Sequence, residues 1–145
     1  MEKEIQVKFA TWFVASVSVI RQQEDGTEKR VKEQYAVDAE SFTEAESKIY
    51  EELTGADLQL KDLTIAPFTE ALTTEGDRFY KVKVNFITTD GNTGKEKKQP
   101  VYYLVQATST ADAQRNADHI LKNSLLDYAV ESIIETKILE LFIND

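Results

Sequence analysis

Cysteine is absent from this chain of 145 residues, which removes disulfides, thiolate metal ligands, cysteine nucleophiles and thiol redox chemistry together. Histidine occurs once, as His119. No second imidazole can complete a metal pair, and no nucleophile-elbow motif accompanies it. With Ile120 and Leu121 beside it, His119 reads as a surface or helix-packing residue. The five glycines, Gly26, Gly55, Gly76, Gly91 and Gly94, are scattered, whereas phosphate loops and dinucleotide fingerprints need them clustered between a strand and a helix. Two prolines and 30% charged residues argue against a disordered linker. The longest apolar stretch, Phe9–Ile20, is too short for a membrane span, and Ser16 and Ser18 alternate in it with Ala15, Val17 and Val19, which predicts a strand rather than a signal segment. Basic residues are the minority, 17 against 26 acidic ones, for a net charge of −9. That balance opposes non-specific adhesion to duplex DNA or anionic lipid. A reducing cytoplasm is the natural setting, with no membrane partner.

What is present is a hydrophobic content of 41%, enough for a buried core without staples. It is arranged as an internal repeat. The alternating segment Trp12–Ile20 matches Phe79–Ile87, with Phe13, Ala15, Val17 and Val19 over Tyr80, Val82, Val84 and Phe86. A hairpin turn follows each, Asp25-Gly26 in one copy and Asp90-Gly91 in the other. The returning strands, Tyr35–Ala45 and Tyr103–Ala113, share the skeleton Tyr-x-Val-x-Ala-x-Ser-x-x-acid-Ala without a gap. Ser41 with Glu44, and Ser109 with Asp112, have the spacing of capping boxes. The helix after the first carries Phe42, Ala45, Ile49 and Leu53 on one face and stops at Gly55; the second carries Ala113, Ala117, Ile120 and Leu121 and runs to about Leu125. A third strand closes each copy, Leu63–Leu72 and Ile133–Phe142, the former with Pro67 marking a sheet edge or bulge. Ile5, Val7 and Phe9 alternate and extend the first strand towards the N-terminus.

These patterns predict an α+β fold made of a duplicated strand–strand–helix–strand unit, residues 1–72 and 78–145. Each antiparallel sheet is expected to be covered by one helix. The halves, joined by the short Thr73–Asp77, are expected to pack as one globular domain with pseudo-two-fold symmetry.

The segments WFVASVSV, YAVDAESFTEAE, GDRFYKVKVNFIT and ESIIETKILELF make most of the chain similar to an uncharacterised family of small proteins from Bacteroidota and their phages, a domain of unknown function. The resemblance implies a source and a fold, and assigns no activity and no residue a role. Against it, this chain has a longer N-terminal lead, Met1–Ala10.

The basic residues are unevenly placed. Lys29, Arg30 and Lys32 open the second strand of the first copy, and Lys95, Lys97 and Lys98 take the equivalent place in the second, while Lys81 and Lys83 share one face of the adjoining strand. Phe79 lies on that face, Trp12 on its counterpart, and Tyr102 on the neighbouring strand. Lysines interleaved with aromatics are what single-strand nucleic-acid binders use; lysines also protect sheet edges, and Glu28, Glu33 and Glu96 dilute the charge. The acidic tail, Asp127, Glu131, Glu135, Glu140 and Asp145, is interleaved with Ile133, Ile138 and Leu141, as on a solvated strand.

The leading expectation is a non-enzymatic binding or assembly module acting through its duplicated sheets on a protein partner or a second copy. It rests on a first strand that is apolar on both faces: Trp12, Val14 and Ile20 opposite Phe13, Val17 and Val19. The alternative is a single-stranded nucleic-acid binder using the lysine–aromatic hairpins. A carboxylate-based enzyme is the least supported class. No catalytic, cofactor-binding or metal-ligating residue is assigned.

Overall fold

The structure is a computed structural model that describes residues 4–144. It is α+β, with two helices and two mixed sheets. In chain order the elements are β1 (Gln6–Phe9), β2 (Trp12–Gln22), β3 (Glu28–Asp38), α1 (Phe42–Glu52), β4 (Ala56–Ile65), β5 (Phe68–Thr73), β6 (Arg78–Thr89), β7 (Glu96–Ala107), α2 (Thr110–Leu121), β8 (Asp127–Glu135) and β9 (Ile138–Phe142).

The strands form a four-stranded sheet of order β4-β2-β3-β9 and a five-stranded sheet of order β1-β5-β7-β6-β8. The chain therefore divides into two compact units that cut across its linear halves: residues 10–67 with 137–145, and residues 1–9 with 68–136. The registers coincide. Ala15 faces Tyr35 and Leu63 in one sheet; Val82 faces Tyr103 and Ile133 in the other.

Three expectations are corrected. The closing strand of each half is two strands, because Ala66-Pro67 and Thr136-Lys137 interrupt it; Pro67 has no N–H to offer a ladder. The second of each pair leaves its own half: β5 pairs parallel with β7, and β9 pairs parallel with β3. The sheets are mixed rather than antiparallel for that reason. The N-terminal segment does not lengthen β2 either. It breaks at Ala10-Thr11, and β1 pairs with β5 instead; Met1–Lys3 lie outside the described residues.

Period-2 patterning explains the core. In the four-stranded unit, Phe13, Ala15, Val17, Tyr35 and Val37 pack against Ala45 and Ile49 of α1 and Phe142 of β9. In the other, Tyr80, Val82, Val84, Tyr103 and Val105 pack against Ala113, Ala117 and Leu121 of α2. Each helix covers one sheet face with a stripe of period 3.6. Both helices start as their spacing predicts. The Ser41 hydroxyl accepts from Glu44 N–H and the Ser109 hydroxyl from Asp112 N–H, each at 3.1 Å. The acids reach one residue further back than in a simple capping box, to Glu40 N–H and Thr108 N–H. Helix α2 ends at Leu121, and Leu125 is fully exposed. The second hairpin turns on Gly94 (φ +69°) as the positive-φ residue rather than Gly91, held by Asp90 accepting from Asn92 N–H at 2.8 Å.

A polar cluster ties β2, β3 and the end of α1 together. Arg21 pairs with Glu33 at 3.0 Å and donates to the Thr54 carbonyl at 2.5 Å, while Tyr35 donates its hydroxyl to Glu33 at 2.8 Å. Arg21 holds the Glu33 carboxyl below its ordinary value of 4.5, against the opposing effect of burial. Burial, reinforced by Glu33, pushes the Tyr35 phenol up to about 12.

Two outcomes follow for stability. Ser41→Ala and Ser109→Ala should each cost about 1 kcal/mol, read from urea midpoints. Because folding lowers the Glu33 carboxyl, its contribution is complete above 4.5 and is lost as pH falls through the lower folded value. Urea midpoints followed from about pH 6 to about pH 3 should therefore fall more steeply for the parent chain than for Glu33→Gln.

Candidate functional site

Each unit leaves two regions unfilled by its own core. The first is a groove beside the outermost strand. In the four-stranded unit it runs between Phe42, Thr43 and Glu46 of α1 and Leu60–Leu63 of β4, and encloses about 370 Å³. In the five-stranded unit a groove of about 430 Å³ runs between Thr110, Ala111 and Gln114 of α2 and Val130–Ile133 of β8. The same helix and strand positions line both. Among the described residues β4 pairs only with β2 and β8 only with β6, and both ladders shift register at corresponding places, between Ser16 and Val17 and between Lys83 and Val84. Such bulges bend an edge strand and leave part of its backbone free to pair elsewhere.

The second region is the sheet face turned away from the helix. In the five-stranded unit, Lys81, Lys83 and Tyr102 come together as the alternation predicts. The Lys81 and Lys83 ammonium groups lie 5.6 and 6.0 Å from the Tyr102 ring centroid, within cation–π range. Lys83 is already engaged, however, by Glu131 at 2.5 Å. Glu131 holds the Lys83 ammonium pKa above its ordinary value, and Lys83, with a weaker pull from Lys98, lowers the Glu131 carboxyl.

In the four-stranded unit the corresponding face carries a cavity of about 430 Å³ lined by Ser16, Val17, Ser18, Lys32, Glu33, Gln34, Lys61 and Lys137. These residues come from β2, β3 and β4 and from the lead into β9, so they cross the whole sheet.

The remaining sequence-derived candidates scatter. Trp12 and Phe79 are 1% and 6% exposed, so neither ring is available to stack a base; both were expected on an open face. Arg30 spans Ser18 and Asp57 and is spent within the unit. Lys32 lines the cavity. Lys29 and Lys97 fall on the opposite faces from Arg30 and Lys98 by strand alternation, and Lys95 sits in the turn before β7. Reading the sequence alone overlooks Lys61, Lys137, Ser16, Ser18 and Gln34. The available signal was the pair of serines inside an otherwise apolar strand, where the other copy has Lys83 and Asn85.

Among the described residues, no group of three or more His, Cys, Asp or Glu is positioned to hold a metal ion, and no helix is long and apolar enough to cross a membrane.

Comparison with curated proteins and with solved structures returned no match to the chain. Comparison with protein families matched residues 11–144, which take in every helix and strand described except β1, to a domain of unknown function, DUF4494. The chain belongs to the DUF4494 family.

Proposed function

We propose that this chain is a non-enzymatic binding module that takes an extended polypeptide segment along the outer edges of β4 and β8. The observation that carries the reading is the recurrence of one groove at corresponding positions in both units. An added strand would satisfy the free backbone edge, and its alternate side chains would drop into the groove beside the helix. The matched registers support an origin by duplication, which would preserve two like surfaces. A second copy of the chain is one possible donor of the segment, since Ile65 and Ile134 are 60% and 54% exposed near these edges. A cytoplasmic setting, on the absence of cysteine, and a source in Bacteroidota or their phages, on the resemblance, belong to the same reading.

Panning the full chain against a random peptide library should recover peptides that shift the amide signals of Leu60–Leu63 and Val130–Ile133. Filling the grooves with Thr43→Trp and Ala111→Trp, both at exposed positions of the first helical turns, should weaken those peptides about ten-fold, or 1.4 kcal/mol. Light scattering separates a second copy from a foreign segment: a dimer that the same substitutions dissociate assigns the role to the former. Peptides that map elsewhere, or whose affinity the substitutions leave unchanged, would sink the reading.

The lysines gathered at Tyr102 favour a second reading, single-stranded nucleic acid on the open face of the five-stranded unit. It predicts a gel shift of labelled oligonucleotide that weakens with salt and disappears when Lys81, Lys83 and Lys98 are changed to Glu. Absence of a shift at low salt eliminates it.

A further inference from the structure

We propose that the cavity on the face of the four-stranded sheet turned away from α1 is a binding site for a small phosphate-bearing molecule. In a chain of net charge −9, it brings together three lysines from separate strand positions: Lys61 on β4, Lys32 on β3 and Lys137 before β9. None of the three makes a salt bridge among the described residues. The one carboxylate in the lining, Glu33, belongs to a side chain directed to the α1 face, where Arg21 and Tyr35 hold it. Asp57, at the other end of β4, is taken by Gln59 and Arg30, which lower its carboxyl, with a lesser pull from Lys61. Asp62, opposite Ser16 in the β2–β4 ladder, makes no ion pair with the three lysines among the described residues, so an anion entering the cavity meets three ammonium groups held in no salt bridge.

The floor supplies directed donors. Ser18 is 4% exposed, and its hydroxyl oxygen accepts from the Arg30 guanidinium at 2.8 Å. With its oxygen occupied as an acceptor, the hydroxyl is free to donate its proton in another direction, and polarisation by a cation strengthens that donation. The Ser16 hydroxyl likewise accepts, from the Gln34 amide at 3.4 Å.

The donor types select among anions. A guanidinium fork serves carboxylate and phosphate alike, whereas separate ammonium point charges and hydroxyls arriving from several sides can each meet a different oxygen of a tetrahedral phosphoryl group. The one guanidinium at this cavity, Arg30, already spends its fork on Ser18 and Asp57. At the matched places in the five-stranded unit stand Lys83, Asn85, Pro100, Tyr102 and Glu131, and there the cation is closed off by its own ion pair. The phosphate site is thus a property of one unit, and it meets the groove beside α1 at Lys61, which lines both.

The test titrates the full chain with inorganic pyrophosphate and, at matched ionic strength, with tricarballylate, following amide signals and heat. Pyrophosphate should saturate at one equivalent, shift Ser16, Ser18, Lys32 and Gln34, and bind at least about ten-fold tighter than the tricarboxylate. Lys61→Met and Lys137→Met, both at the margin of the sheet, should weaken both anions. Ser18→Ala, with fold checked by its amide spectrum, should weaken pyrophosphate alone, and Lys95→Met, in the turn before β7 of the other unit, should change nothing. Equal affinity for the two anions overturns the phosphate assignment, and shifts that do not saturate or that fall outside the cavity overturn the site.

Discussion

Consecutive burial along the inner strands β3 and β7 is the constraint on which both sheets depend. Tyr35, Ala36 and Val37 are all buried, as are Tyr103, Leu104 and Val105. A strand hidden on both faces cannot turn unpaired backbone to water, so each needs a ladder on either side. The hairpin partner supplies one. The other comes from a segment distant in sequence, β9 for Tyr35–Val37 and β5 for Tyr103–Val105, in parallel pairing. Edge strands, bulges and grooves then take the positions that remain outside these inner pairs.

Local chemistry was legible in the sequence. The alternation of Phe13, Ala15 and Val17, the Ser41 and Ser109 caps and the hairpin turns each leave a signal within a few residues, because the forces that fix them act over that range. The destination of β5 and β9 left none. Parallel pairing is set by what β3 and β7 require, and a five- or six-residue apolar strand fits either sheet equally well. The burial of Trp12 and Phe79 was hidden for a related reason: alternation assigns a face and is silent on whether anything covers it. Helix α2 stops short of Leu125, although that residue continues the apolar pattern, because the chain turns after the Lys122 cap, with Ser124 N–H donating to the Leu121 carbonyl.

The candidate site was half visible. Lys81, Lys83 and Tyr102 were brought together by strand pairing that could be read from the repeat. Lys61 and Lys137 could not be, since they reach the same cavity from an edge strand and from the lead into an exchanged one. Two similar units therefore carry dissimilar open faces, one with its lysine neutralised by Glu131 and one with its lysines unpaired. Likeness of fold and difference of charge coexist because the sheet face away from the helix contributes little to the helix-covered core.

The exchange of β5 and β9 also orders events during synthesis. As the chain leaves the ribosome, the first hairpin and α1 can form early, but β3 keeps an exposed edge until Phe142 has been made. Neither unit contains a continuous half of the chain, so neither can be completed, excised or replaced by cutting at the junction between the repeats. Long-range strand pairing of this kind is slow to close. In the interval the free edge of β3 is a template for another chain's strand, so a nascent or truncated protein lacking β9 is the form most exposed to swapping and aggregation.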